Sequence, residues 1–374
     1  MDRKRVIVAG LGDSGVLAAI RLARHADVVG ISAKPGLVSG QELGVRLSRP
    51  HDWARDYWIP FDRFRRLDGV GIVQATLTGV DLAAQTVFGR SEDGTTITEP
   101  YDALVISTGV SNGFWRQPTL QTAAEIGAGL RAAHDRLAAA ASVVVVGGGA
   151  AAVSSALNMA TTWPDKRIDL YFPGGSALEG HHPRIWQRIH GRLTRLGVGV
   201  HPGHRAVVTD GFAGDELSSG PVYWSTGQPP ADADAVLWAI GRARPNTEWL
   251  PPELLDGLGF VRVTPELRVP GHPGVFAVGD VAATDPLRSS ARNRGDVLVA
   301  RNVLADFTGR SLRTYRAPTR RWGSLVGIQP NGLEVFLPTG HAFRFPSWSV
   351  ERVVMPWIVR WGMYRGVRQN DPLG

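Results

Sequence analysis

The chain contains no cysteine. That absence removes disulfides, thiolate metal sites, iron–sulfur ligation and a redox-active dithiol, so any electron transfer has to run through a bound organic group. Lysine is almost missing too, since all but three of the 41 basic residues are arginine. The net charge of +7 is therefore an arginine charge, which suits an anionic ligand or a membrane surface and is equally what an arginine-rich proteome produces. Long apolar runs are lacking as well. The basic start Arg3, Lys4, Arg5 leads only into a short strand-like run with no small-residue cleavage site behind a longer one. Neither a signal peptide nor a spanning helix is expected, and the default location expected is the cytoplasm.

What the chain does have begins at Val6. The run Val6, Ile7, Val8, Ala9 reads as a buried parallel strand, and Gly10, Gly12 and Gly15 follow it in the spacing G-x-G-x-x-G, with Asp13 and Ser14 inside the turn. In such a turn the first glycine permits the bend, the second admits a pyrophosphate and the third lets the next helix pack close. The helix amino terminus then presents free NH groups to the phosphates. Ser142–Ala152 repeats the device: four valines, then Gly147, Gly149 and Ala152 at the same spacing. Two strand–glycine–helix signals in one chain point to two dinucleotides, a flavin in one half and a nicotinamide in the other. With 43% hydrophobic residues over 374, the composition supports real cores in two or three domains.

Between and beyond these signals the chain reads as follows. The second strand ends on Ser32, with Lys34 nearby, where such folds place an acid for a ribose hydroxyl. Arg46 to Phe64 reads as a helix packing its aromatics on the first domain, with a lid over a flat ring as the alternative. Gly71 to Ile97 reads as an antiparallel meander with a turn at Glu92, Asp93, Gly94. Ser107, Thr108 and Gly109 close a buried strand, a helix spans roughly 120–141, and the segments AVLWAIGRARPNT (235–247) and GVFAVGD (274–280) are further strands ending in Gly241 and in Gly279–Asp280. Asp280 suits either a sugar-chain hydroxyl or the cap of the next helix, which is expected after Ser289 and Ser290. The strand ending at Phe172 offers neither an acid nor an adjacent arginine, so the choice between NAD and NADP stays open. Residues 325–345 read as short strands, and Pro356 as the opening of a helix that carries Trp357, Trp361 and Tyr364 on one stripe among arginines. That stripe is either a core or dimer contact or an interfacial helix on an anionic membrane. No recognised nucleic-acid module accompanies it.

The order of these motifs resembles the flavoprotein reductases with two dinucleotide domains, over nearly the whole chain. It is most similar to the apoptosis-inducing-factor-like NAD(P)H:quinone reductases and type II NADH dehydrogenases. The resemblance implies an α/β fold with two Rossmann-like domains, parallel sheets bearing antiparallel meander inserts, and a small C-terminal α+β domain. The implied division is 1–112 with 242–312 for FAD, 113–241 for NAD(P)H and 313–374 for the C-terminal domain. It implies FAD at Gly10, Gly12, Asp13, Ser14 and Gly15, with Ser32 and Lys34 near the adenosine, Leu77 near the adenine, Thr108 and Gly109 lining the site, and Gly279 and Asp280 at the ribityl chain. NAD(P)H would lie on Gly147, Gly149, Ala152 and Gly241. The family usually has an acid where Ser32 stands and often a glutamate where Ser154 stands. The expected activity is hydride transfer from NAD(P)H to the flavin and onward to a quinone-like acceptor, with no side chain assigned as catalytic and no metal. The alternatives are reduction of a small redox protein of the ferredoxin or rubredoxin type, or a nucleotide-binding flavoprotein without turnover. Peripheral contact with the inner face of the membrane would be through the C-terminal helix, and the oligomeric state is not encoded in any feature read here.

Overall fold

The structure is a computed structural model that describes residues 3–39, 43–111, 113, 117–208, 212, 214, 217–241, 243–291 and 293–368. Five parallel strands form one sheet in the order Val275–Ala277, Ala103–Ile106, Arg5–Ala9, Asp27–Ser32, Gly71–Gln74. The opening strand lies at its centre, with Val6 to Ala9 wholly buried. Covered on both faces, it reads as a continuous apolar run without alternation. Val6 and Val8 pack with the helices Asp13–Leu22 and Gly295–Phe307, whereas Ile7 and Ala9 face a three-stranded antiparallel meander, Thr76–Asp81, Thr86–Arg90 and Thr96–Pro100.

The second sheet repeats the plan. Its order is Gly199–His201, Arg167–Tyr171, Ser142–Val146, Ala235–Trp238, Leu217–Ser218, parallel except for the last strand. Helices Ala123–Ala139, Ala150–Thr162 and Pro183–Arg195 cover the face of Val143 and Val145, while Trp224 and Trp238 cover that of Val144 and Val146. The first of these helices is fixed at its start by a capping box, in which Thr122 Oγ1 accepts from the Glu125 NH and the Glu125 carboxylate accepts from the Thr122 NH. Where the chain passes between the sheets its two crossing segments pair with each other, Val110–Ser111 antiparallel to Arg244–Pro245. Asn246 clamps this ribbon, donating to Thr108 O (3.0 Å) and accepting from Ser111 Oγ (2.7 Å).

Four expectations are corrected. The run from Ile72 is not all meander: Gly71–Gln74 joins the parallel sheet beside Asp27–Ser32, and only from Thr76 does the chain turn antiparallel. The Arg46–Phe64 segment is two short helices, Leu43–Ser48 and Pro50–Tyr57, followed by Trp58–Pro60 paired with Gly36–Val38. Its Trp53, Trp58, Phe61 and Phe64 are buried, so these rings are core and not a lid. After the antiparallel strands Ile328–Gln329, Gly332–Phe336 and Ala342–Phe345, the last helix is a π-helix over Val350–Met363, and Pro356 lies inside it instead of opening it. The wider π turn, with NH groups paired five residues back, loses one such bond at Pro356 and continues. The aromatic stripe also divides: Tyr364 is buried edge-on against Phe64 at 5.2 Å, whereas Trp357 and Trp361 are 66% and 54% exposed.

Candidate functional site

Two cavities open at the carboxyl ends of the two parallel sheets, of about 820 Å³ and about 940 Å³. Both have the size and the mixed apolar and polar lining of small-molecule sites. The first glycine turn shows how its residues divide the work. A Cβ on Gly15 would sit 1.9 Å from Gly10 O, and one on Gly10 would sit 2.6 Å from Ser107 O. Those two glycines are required by the protein's own packing, and Gly10 also adopts φ 96°. Gly12 is different. Its φ of −74° suits any residue and a Cβ there would meet nothing within 4 Å, because it would project into the cavity. A glycine that neither the backbone nor a neighbour demands is the signature of a ligand's close approach.

The second turn is built the same way. A Cβ on Gly147 would lie 2.1 Å from Ala239 O, Gly149 faces open space, and Ala152 is fully buried beneath them. The two linings share Val110, Ala150, His181, Asp280, Leu287, Arg288 and Arg321, so the cavities meet.

The residues singled out in the sequence fall into place as follows. Gly10, Gly12, Asp13, Ser14, Ser32, Lys34, Leu77, Thr108, Gly109 and Gly279 line the first cavity, Gly147, Gly149 and Gly241 the second, and Asp280 both. Gly15 and Ala152 are in neither lining and serve the helix–strand contact. Ser154 lines the second cavity, and its carbonyl accepts from Asn158. Ser290 does not open a helix, since the helix starts at Gly295; its hydroxyl accepts from the Gly279 NH (3.0 Å) and so fixes the strand end that carries Asp280. Arg242, within the quoted 235–247 stretch, lies outside the described residues.

At the end of the second strand Ser32 Oγ accepts from the Lys34 NH (3.1 Å). The Lys34 amine donates to Thr119 O and Gln121 Oε1. Burial, with Arg46 adding repulsion, pushes it down to about 8 from its ordinary 10.5. Protonating Lys34 is therefore harder in the folded chain, a penalty present in full below pH 8 and relieved as pH rises from 8 to 10.5. The stability difference between the parent and Lys34→Met should shift toward the parent over that interval and stay flat below pH 7, which thermal unfolding across a pH series measures.

Further residues line the two cavities. Arg46 stacks on Trp53 (4.8 Å to the ring centroid) and reaches the first cavity; Asn246, Trp249, His181, Arg321 and Trp322 arrive from distant segments.

The family model for pyridine nucleotide-disulphide oxidoreductases matches residues 4–301. The chain is 25% identical to the oxidoreductase ptaL of Pestalotiopsis fici, over 86% of this chain and 83% of that one. It is also 25% identical to the type II NADH:quinone oxidoreductase Ndh of Mycobacterium tuberculosis, over 82% and 73%. Among solved structures, the water-forming NADH oxidase of Lactobacillus brevis superposes with a TM-score of 0.66 at 18% identity, covering 89% of this chain and 74% of that one. With the paired glycine turns and their joined cavities, the match identifies the chain as a member of the pyridine nucleotide-disulphide oxidoreductase family, an NAD(P)H-dependent flavoprotein oxidoreductase that has no cysteine for a dithiol step.

Proposed function

We propose that FAD occupies the first cavity and NAD(P)H the second, and that the electrons leave to a quinone. The observation that carries this reading is the junction of the two cavities at Val110, Ala150, His181, Asp280, Leu287, Arg288 and Arg321, which lets two flat rings meet there. When bound, the flavin supplies the chemistry, taking a hydride from the nicotinamide and passing two electrons on. The net reaction is NAD(P)H plus a proton plus quinone giving NAD(P)⁺ plus quinol.

The protein's share is placement. Gly12 and Gly149 leave room for the two pyrophosphates, and the helix starts at Asp13 and Ala150 point NH groups at them. The Asn246 clamp holds the ribbon that sets one cavity against the other, and the apolar Val110 and Leu287 keep water from the junction. In this reading 1–112 with 242–312 form the FAD domain, 113–241 the NAD(P)H domain and 313–374 the C-terminal domain.

Similarity to a type II NADH:quinone oxidoreductase and the exposed face of the last helix support a lipophilic acceptor. On that face Trp357 and Trp361 stand out from the surface, with Arg65 over the Trp361 ring at 5.9 Å. Among the described residues no helix is long and apolar enough to cross a membrane. The contact proposed is peripheral, with the tryptophans at the headgroup level and arginines on anionic lipid. Burying a third of one indole, about 65 Å² at about 25 cal/mol per Å², contributes about 1.6 kcal/mol. Trp357→Ser should therefore lower partitioning onto anionic vesicles about tenfold, as read by vesicle sedimentation.

Anaerobic turnover tests the acceptor. NADH or NADPH should be consumed one-for-one with a short-chain quinone, and turnover confined to an acidic iron–sulfur carrier protein would replace the quinone with a redox protein.

A further inference from the structure

A nucleotide site of this kind selects its ligand at the end of the second strand, where an acid accepts the ribose 2′-hydroxyl of an unphosphorylated dinucleotide. In the second sheet those positions are Phe172, Pro173 and Gly174, none of them acidic, and Phe172 is buried in the core. The fold brings a carboxylate to this place by another route. Leu178 is buried with its backbone in the left-handed region at φ 60°, and its NH donates to Gly148 O at 2.8 Å. The loop after the strand is thereby folded back onto the second glycine turn. A left-handed leucine costs about 1–3 kcal/mol and persists only where surrounding contacts over-determine it.

The next residue is Glu179, and its carboxylate lies over Gly174. A Cβ on Gly174 would be 2.5 Å from Glu179 Oε1, so the missing side chain is what makes room for the acid. Both residues line the second cavity. Among the described residues the Glu179 carboxylate makes no hydrogen bond and no ion pair, although its chain neighbours are held by backbone bonds. An exposed acid on the cavity lining, beside a glycine and without a partner among the described residues, is free to accept hydrogen bonds from a ligand.

We propose that Glu179 is the ribose-binding acid of the second cavity and that it selects NADH over NADPH. The proposal rests on the reading that the second cavity holds the nicotinamide nucleotide. An ionised carboxylate accepts from ribose hydroxyls in charge-assisted bonds and repels a phosphate at the 2′ position. Arg205 lines the same cavity, on the loop whose Gly203 and His204 NH groups donate to Gly174 O and Phe172 O (3.1 and 2.9 Å). With Arg288 and Arg321 in the same lining, it is one of the side chains that would welcome a 2′-phosphate. Glu179 decides the outcome because the strained turn and the Gly174 gap are arranged around its carboxylate.

The test is calorimetric binding of ADP-ribose and of 2′-phospho-ADP-ribose to the purified holoprotein, which reads the adenosine end without turnover. The parent should favour ADP-ribose by about tenfold or more, the yield of one charge-assisted bond. Glu179→Gln should remove most of that preference, and Gly174→Ala should weaken it in the same direction by displacing the carboxylate. Arg205→Ala should leave it in place. Tighter binding of the phosphorylated fragment by the parent, or an unchanged ratio in Glu179→Gln, would overturn the assignment to Glu179. Failure of the parent to bind either fragment would overturn it together with the reading of the second cavity as a nucleotide site, and so separates the two.

Discussion

Gly12→Val should leave the chain folded and strip it of flavin, while Gly15→Val, three residues on, should unfold the first half of the molecule. The two glycines belong to one motif, yet the space around them differs. At Gly12 the backbone is already in a conformation open to any residue and a side chain would point into the first cavity without touching protein. The apo form of that variant should unfold within about 0.5 kcal/mol of the parent, as substitutions that touch nothing do. Its isopropyl group would occupy the place proposed for a pyrophosphate, an overpacking of about 3 kcal/mol that weakens flavin binding about a hundredfold. At Gly15 the first atom of any side chain would lie 1.9 Å from Gly10 O, a backbone atom that the central strand holds. Relief requires the helix Asp13–Leu22 to leave the sheet and uncover Val16, Ala19 and Ile20, so a loss of about 3 kcal/mol or more is expected. Flavin absorbance per chain and urea midpoints of the apo forms distinguish the two results. Equal behaviour of both variants would mean that the motif is structural throughout.

Replacing Asn158, two turns along the helix that leaves the second glycine turn, should be nearly as damaging. Its side chain is fully buried on the helix Ala150–Thr162 and joins three separate segments. The amide donates to Ser154 O (2.9 Å) and Val326 O (3.0 Å), and its oxygen accepts from Arg49 (3.1 Å) and Gln329 (2.9 Å). Asn158→Ala removes these four hydrogen bonds, leaves Ser154 O without the side-chain amide that donates to it and opens a small void, while Gln329 keeps Val326 O (2.6 Å) and Arg49 keeps Ile328 O (2.8 Å) as acceptors. A buried carbonyl left without its donor costs about 1–3 kcal/mol and the void adds to it, so about 3 kcal/mol in total is expected. Asn158→Asp is the sharper variant. It restores an acceptor for Arg49 but cannot donate to the two carbonyls, and it sets a carboxylate against them. Urea unfolding should therefore show both variants destabilised, with the C-terminal segment released first as judged by limited proteolysis. An Asp variant as stable as the parent would mean that the Arg49 contact alone fastens the three segments.

The parts legible in the sequence are those whose signal is local. Both glycine turns, the strands before them and the three short C-terminal strands could be read because spacing and burial period are properties of consecutive residues. The Gly71–Leu77 run failed for the same reason. No turn residue divides Ile72 from Leu77, and whether a strand pairs parallel or antiparallel is decided by its partner; the break falls at Ala75, whose NH donates to Ser32 O across the sheet edge. Pro356 misled because proline is read as a helix start, whereas a π turn carries it in its interior. The ribose acid of the second cavity was invisible because Glu179 reaches its place through a left-handed turn at Leu178 and not from the strand end. The junction of the two cavities was illegible too, being assembled from segments that lie far apart along the chain.

The most direct test of the account is the visible absorption spectrum of the purified protein followed through an anaerobic titration with NADH. Bound flavin whose bands bleach with one equivalent of NADH, and return when a short-chain quinone is added, is the result the account predicts. A protein without flavin bands, or one whose bands NADH leaves unchanged, would contradict it at the first cavity or at the second, respectively.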